Sequence, residues 1–333
     1  MSDTRTSLVT GGAGFIGSHV AEHLLRRGHR VTVLDDLSGG FADNVVPGVE
    51  LVTGSITDVD LVNRLFGARR FDHVFHLAAY AAEGLSHFVK RFNYTNNLLG
   101  SVNLINASVN TGVKCFVFTS SIAVYGASPH LPVDESTPVH PDDPYGIAKL
   151  AVEQELRVSQ AMFGLDFVVF RPHNVYGERQ NIGDKYRNVV GIFMNQGLRG
   201  EPMTVFGDGR QTRAFSYIAD VAPIIAEAVD IPSARNQVFN LGADQPRSIA
   251  DLARAVAYAM GVVPEVVHLP PRHEVVHTYS SHQRVREVFG DRPTYTLEAG
   301  LERMARWVRV HGAKSTKPFD GIEVRKNFPA AWL

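Results

Sequence analysis

Residues 10–17, TGGAGFIG, decide how this chain is read. They join an apolar run, SLVT at 7–10, to a helical pattern at 15–27 whose apolar residues include Val20, Leu24 and Leu25. In a strand-turn-helix unit of this kind Gly11 allows the tight turn, Gly14 lets backbone amides approach a pyrophosphate, and Gly17 lets helix and strand pack closely. The spacing differs by one residue from the commoner dinucleotide fingerprint, and tight turns alone also use glycine. Context adds weight: Asp35 closes the next apolar run, VTVLD at 31–35, where a carboxylate can accept hydrogen bonds from an adenosine ribose. A carboxylate there repels the 2′-phosphate of NADP, so NAD is the expected cofactor.

Working outward, short β-branched runs recur at 49–53 (VELVT), 73–77 (HVFHL), 113–119 (VKCFVFT) and 166–170 (DFVVF), with helical stretches between them, as at 92–110. That rhythm predicts βαβ units and an α/β, Rossmann-type, doubly wound parallel sheet. Gly28, Gly112 and Gly164 stand where helices should stop. Beyond residue 170 loops rich in Gly, Pro and charge precede helical patterns at 219–229, 248–260 and 297–310. This predicts an NAD-binding domain over 1–172, with 213–243 interleaved, and a smaller α/β substrate-binding lobe over 173–333. The tail 313–333 is too short and mixed to assign.

The 333 residues carry 33 Lys+Arg against 34 Asp+Glu without a like-charged run, so nothing points to nucleic acid or a membrane surface. No signal peptide is apparent, and no window approaches the ~18 apolar residues of a membrane span. The single cysteine, Cys115, lies in an apolar run and reads as a core residue in a cytoplasmic, reducing setting. His73 and His76, three apart on a strand, point to opposite faces, and His173, His273 and His277 lack companions at ligand spacing, so no metal site is expected.

Two further stretches carry chemistry. TSSIAVYG (119–126) sets hydroxyls at the end of a strand. DDPYGIAK (142–149) offers Asp142 or Asp143 as a helix cap, Pro144 in the first turn, and Tyr145 and Lys149 four apart on one face. Taken in order with TGGAGFIG, HLAA (76–79), RPHNVYG (171–177) and GDGRQTRAF (207–215), they resemble the extended short-chain dehydrogenase/reductase family, and within it the nucleotide-sugar epimerases of the UDP-glucose 4-epimerase kind.

The resemblance implies a catalytic set of Ser121, Tyr145 and Lys149, with Tyr145 as the base and Ser121 bonding the forming carbonyl oxygen. It implies cofactor contacts from Gly11, Gly14, Phe15, Ile16, Gly17, Asp35, Asp36, Ser55, Ile56, Leu77, Ala78, Ala79 and Asn97, besides Tyr145 and Lys149. The sugar nucleotide, a UDP-sugar first, would meet Glu83, Ser121, Tyr145, Asn174, Arg213 and Arg272, with Tyr176 a further candidate on the sugar side. Arginine suits phosphate because its fixed fork of donors grips two oxygens. Lys185 and Arg187 can add positive charge at the pocket mouth, and Thr278 falls near the position that gates the C2 substituent.

Departures from the family narrow the chemistry. Ile122 and Ala123 stand where related dehydratases carry an acid pair and where 3,5-epimerases carry a cysteine. Gly84 replaces the Arg of uronate-handling relatives, and Ser55 and Ala214 replace usual aspartates. What remains is oxidation and re-reduction at one carbon, a 4-epimerase, expected as a homodimer through 92–110 and 144–162. The competing readings are another sugar-nucleotide enzyme of the same fold and a non-catalytic NAD-sensing module.

Overall fold

The computed structural model describes residues 4–272, 274–315 and 319–332. His273, named above among the histidines, lies outside the described residues. Seven parallel strands form the main sheet: β1 (Thr6–Thr10), β2 (Arg30–Asp35), β3 (Glu50–Thr53), β4 (His73–His76), β5 (Cys115–Thr119), β6 (Phe167–Pro172) and β7 (Gln237–Leu241). Their spatial order is β7-β6-β5-β4-β1-β2-β3. The order reverses between β1 and β4, and such a reversal opens a crevice at the carboxyl ends of the strands. Register aligns those ends, since Thr10 of β1 lies opposite both Leu34 of β2 and His76 of β4. The glycine turn, Asp35 and the segment after His76 therefore meet at one edge.

The sheet is covered on both sides, which is why β5 and β6 are buried along their whole length and read as unbroken apolar runs. On one side α1 (Phe15–Arg26) brings Val20, Ala21 and Leu24 against Val33, Phe75 and Val117. On the other, α2 (Val59–Arg69), α3 (Gly100–Thr111) and α4 (Pro144–Phe163) bring Phe66, Leu104 and Leu156 against Val74, Phe116 and Phe118. Each such side chain contributes about 1.5–3 kcal/mol by leaving water, so sheet packing rather than helix propensity holds these elements. Cys115 is fully buried in the first cluster. Gly112 and Gly164 cap α3 and α4 in the left-handed region, at φ 74° and 73°.

The helix expected over 92–110 is present and runs unbroken over 90–111, with a π-type turn inside it. Lys90–Tyr94 is followed by a wide π-type turn, Thr95–Leu99, and then by α3. Asn97 sits in that turn, its amide bonded to Tyr80 and Asn93.

Beyond β6 the chain builds small sheets. Met203–Phe206 pairs with Val266–Leu269, and Thr212–Ala214 lies between Pro246–Ser248 and His277–Thr278. Helices α5 (Val189–Arg199), α6 (Ile218–Glu227), α7 (Ile249–Met260) and α8 (Leu297–His311) complete this part, and β7 returns to the main sheet beside β6. The tail that the sequence left unassigned packs Phe319, Ile322, Phe328 and Trp332 onto Tyr80, Phe88 and Phe92. Among the described residues no helix is long and apolar enough to cross a membrane.

Candidate active site

A cleft of about 970 Å³ opens beyond the carboxyl ends of β1, β2, β4 and β5. At its floor Gly11 adopts φ +70°, and a Cβ there would lie 2.7 Å from the Ala78 amide nitrogen. A Cβ on Gly17 would lie 2.1 Å from the Gly11 carbonyl oxygen. The turn is thus a cradle that only glycine can form, with the N-terminus of α1 behind it, and it fits a pyrophosphate. Asp35 lines the cleft beside it and accepts hydrogen bonds from the amides of Ala13 (3.0 Å) and Leu37 (2.8 Å). Burial raises its carboxyl above the ordinary range while those amides hold it down. Phe15, Ile16, Asp36, Ser55, Ile56, Leu77, Ala78 and Ala79 line the same end.

The catalytic candidates meet in the middle of the cleft. Asp143 caps α4 by accepting from the Gly146 amide at 2.9 Å, and Pro144 occupies the first turn, so Tyr145 and Lys149 stack toward the end of β5. Asp142 does other work, accepting from the Ala127 amide at 2.7 Å. The Lys149 ammonium donates to the Thr119 carbonyl oxygen at 2.8 Å and lies 5.7 Å from the Tyr145 ring centroid. Ser121 caps the short helix Ile122–Tyr125, accepts from the Ala123 amide at 3.1 Å, and reaches the Tyr145 phenol with its hydroxyl.

Electrostatics separates their roles. Burial, then the carboxylates of Glu83 and Asp143, push the Tyr145 phenol above its ordinary value, while Ser121 opposes them. Burial lowers Lys149 to about 7, with Glu153 one turn along α4 the opposing influence. Glu153 is itself buried, paired with Arg171 at 2.6 Å and accepting from Ser120 at 2.6 Å, so one carboxylate ties α4 to β5 and β6 behind the site.

At the far end Glu83 opens a one-turn helix, Glu83–Ser86, docked on α4: the Ser86 hydroxyl donates to the Glu83 carbonyl at 2.6 Å and accepts from the Tyr145 amide at 3.3 Å. The Glu83 side chain is open to the cleft yet ringed by protein. Desolvation first, then Asp143, raise it to about 7 against the pull of Arg213 and Arg272. Arg213 donates to the carbonyls of Thr212 and Val276, at 2.9 and 2.8 Å, and lies 3.8 Å from Glu274. Arg272 is held by Glu274 at 2.9 Å and covers the Phe206 ring at 4.6 Å. Asn174, at φ 42°, lines the cleft, as do Lys185, Arg187 and Thr278.

Two of the candidates lie behind the cleft lining rather than along it. Asn97 is buried outside the cleft lining: it accepts from the Tyr80 amide at 2.8 Å and donates to the Tyr80 carbonyl at 3.1 Å, so it fixes the loop after β4 from behind. Tyr176 is likewise buried away from the cleft, donating to the Leu297 carbonyl at 3.1 Å. His173 faces His282 at 3.0 Å, and among the described residues no group of three potential ligands could hold a metal. Sequence reasoning missed Phe206, Glu274 and Trp332, all of which line the cleft. Phe206, an apolar residue ending a strand before the GDG turn, was the one with a local signal.

The parallel sheet with its crevice at the order reversal, the glycine cradle and the Ser-Tyr-Lys cluster define a Rossmann-type, dinucleotide-dependent enzyme. Residues 7–242 match the model of the NAD dependent epimerase/dehydratase family. UDP-glucose 4-epimerase of Mycolicibacterium smegmatis is 36% identical over 310 residues, 91% of this chain and 98% of that protein. The structure of Thermotoga maritima UDP-glucose 4-epimerase with UDP-glucose matches with a TM-score of 0.88 at 35% identity, over 92% of this chain and 99% of the other. That of the Thermus thermophilus enzyme with NAD matches with a TM-score of 0.84 at 35% identity, over 91% and 99%. The chain belongs to the NAD-dependent epimerase/dehydratase family.

Proposed function

We propose that this protein is an NAD-dependent isomerase that inverts C4 of a nucleotide-diphosphate sugar, a UDP-sugar first, through a transient 4-keto sugar. The observation that carries the reading is the meeting of Ser121, Tyr145 and Lys149 in one cleft with Ile122 and Ala123 directly after Ser121, so that this segment carries no acid pair for elimination and no cysteine for carbon deprotonation.

Gly11, Gly14 and Gly17 would cradle the pyrophosphate of NAD, and Asp35 its adenosine ribose. Bound NAD supplies an acceptor that takes a hydride from the sugar carbon and returns it to the other face. Tyr145 removes the hydroxyl proton as the hydride leaves and gives it back on reduction. Ser121 donates to the carbonyl oxygen as it forms. Without ligand, Tyr145 keeps its proton, because burial and the carboxylates of Glu83 and Asp143 favour the neutral phenol while Ser121 and the Arg187 cation oppose them. Lys149, 5.7 Å from the ring centroid, would help draw that proton off in its charged form. Arg213 and Arg272 reach the diphosphate by exchanging Glu274 for phosphate oxygens, Asn174 supports the same region, and Glu83 accepts from sugar hydroxyls.

The reading extends to assembly and place. Helices α3 and α4 would pair with those of a second copy, an idea supported by Ile147, Val158 and Met162, which leave 44%, 55% and 69% of their surface exposed on α4. The lone buried thiol of Cys115 suits a cytoplasmic, reducing setting. The NAD-binding domain would take in 1–172 with 213–243 interleaved, which includes β7, and the substrate-binding lobe 173–333.

Incubation with UDP-glucose, UDP-galactose and their N-acetylated counterparts, followed by proton NMR, tests the reaction. A C4 diastereomer appearing from either direction supports it; a stable keto product, or no turnover of any nucleotide sugar, overturns it.

A further inference from the structure

The segment Phe319–Trp332 has no place in the chemistry above, yet its last turn lines the cleft. It is fastened along its length. The Glu323 carboxylate accepts from the amides of Arg91 and Phe92, at 2.8 and 2.9 Å, and the amides of Glu323 and Val324 both donate to the Phe88 carbonyl, at 2.8 and 3.1 Å. Phe319 packs edge-on against Phe92, with ring centroids 4.9 Å apart, and Phe328 against Phe88 at 5.1 Å.

Trp332, 4% exposed, ends this strap between the two parts of the molecule. On the sheet side its indole meets Phe88, and a Cβ on Gly84 would lie 2.9 Å from it. On the other side it meets Phe206 at 6.4 Å, and the Arg272 guanidinium lies 5.8 Å from its ring. The Trp332 carbonyl accepts from the Lys185 ammonium at 2.8 Å, which ties the loop at the cleft mouth to the same point. Glycine at 84 and tryptophan at 332 are thus complementary: the space that a side chain at 84 would take is filled by the indole.

We infer that the strap completes the nucleotide-sugar end of the cleft, and that Trp332 is a specificity-determining wall residue that retains the oxidised sugar between the two hydride transfers. The inference rests on the proposed epimerase reading. A sugar that must present both faces of C4 cannot be held by many directed hydrogen bonds to its ring, so the nucleotide and the enclosing walls have to keep it in place. When the wall is missing, the 4-keto sugar leaves after its hydride has passed to NAD and its hydroxyl proton to Tyr145. The ketone is then in solution and NADH stays on the protein.

The test uses full-length protein carrying Trp332→Ala, with Gly84→Ala as a second variant that displaces the indole from the opposite side and Trp332→Phe as the conservative rescue. Trp332→Ala is expected to raise KM for the nucleotide sugar and Kd for UDP by calorimetry at least about tenfold, and to accumulate protein-bound NADH fluorescence during turnover. Gly84→Ala should move the same way and Trp332→Phe should stay near wild type. The protein has two tryptophans, so in a Trp307→Phe background the emission of Trp332 should change on addition of UDP. Unchanged KM and UDP affinity in both alanine variants, without NADH accumulation, would overturn the inference. Failure of wild type to turn over any nucleotide sugar would overturn the epimerase reading instead, and UDP affinity would still decide the role of the wall.

Discussion

Replacing Lys149 with methionine should stabilise the unliganded fold while removing its activity. Lys149 is 2% exposed, its ammonium among the described residues bonds only the Thr119 carbonyl, and it is held near 7 against an ordinary value of 10.5. Below about pH 7 the native state carries a buried cation, at a cost on the order of 5 kcal/mol relative to the unfolded chain. Between about 7 and 10.5 the native lysine is neutral while the unfolded one still binds a proton, so wild-type stability rises with pH across that window. Methionine fills a similar volume and does not titrate. The stability advantage of Lys149→Met should therefore shrink by about 2–3 kcal/mol between about pH 6 and about pH 9, whatever the packing energy of methionine. Urea unfolding of both proteins over that range, without ligand, reads the difference directly. A gap that stays constant with pH would refute the argument, because it would mean that Lys149 titrates as in a free chain.

Other consequences are simpler to state. Tyr145→Phe should lower kcat by roughly 10²–10⁴ while leaving NAD affinity and thermal stability near wild type, since among the described residues the phenol's hydrogen-bond partner is Ser121 alone; steady-state kinetics with NAD titration checks it. Glu153→Gln should destabilise the protein by about 3–5 kcal/mol, because Arg171 is left buried without its carboxylate; denaturant unfolding measures it. Glu83, raised to about 7 when folded against 4.5 in a free chain, binds a proton in the native state that the unfolded state has released, so it subtracts stability as pH rises from about 4.5 to 7. Glu83→Gln should accordingly remove part of the loss of thermal stability across that window, seen in melting curves at a series of pH values.

Much of this was legible locally, and what was missed shares a cause. Strands β5 and β6 stood out because a sheet covered on both faces leaves continuous apolar runs, and Asp143, Pro144 and Tyr145 announced the start of α4 through cap chemistry confined to a few residues. That Asn97 holds the backbone of Tyr80, 17 residues away, was not legible, because no periodicity reveals the turn between them. The partner of the Tyr176 hydroxyl, the Leu297 carbonyl, lies 121 residues on and was equally hidden. The tail looked unassignable because its apolar residues are few and irregular; they are ordered by aromatic partners on Phe88 and Phe92, and only the fold brings those within reach. The spacing of Arg213 and Arg272 gave no sign that Glu274 would lie between them and have to be displaced by a diphosphate.

That one carbon is oxidised and then reduced by the same hydride is tested most directly with UDP-glucose deuterated at C3, C4 and C5 in ordinary water, followed by NMR of the product. The account predicts UDP-galactose with the deuterium still at C4 and no solvent hydrogen elsewhere on the ring. Loss of the label from C4, or exchange at C3 or C5, would contradict it.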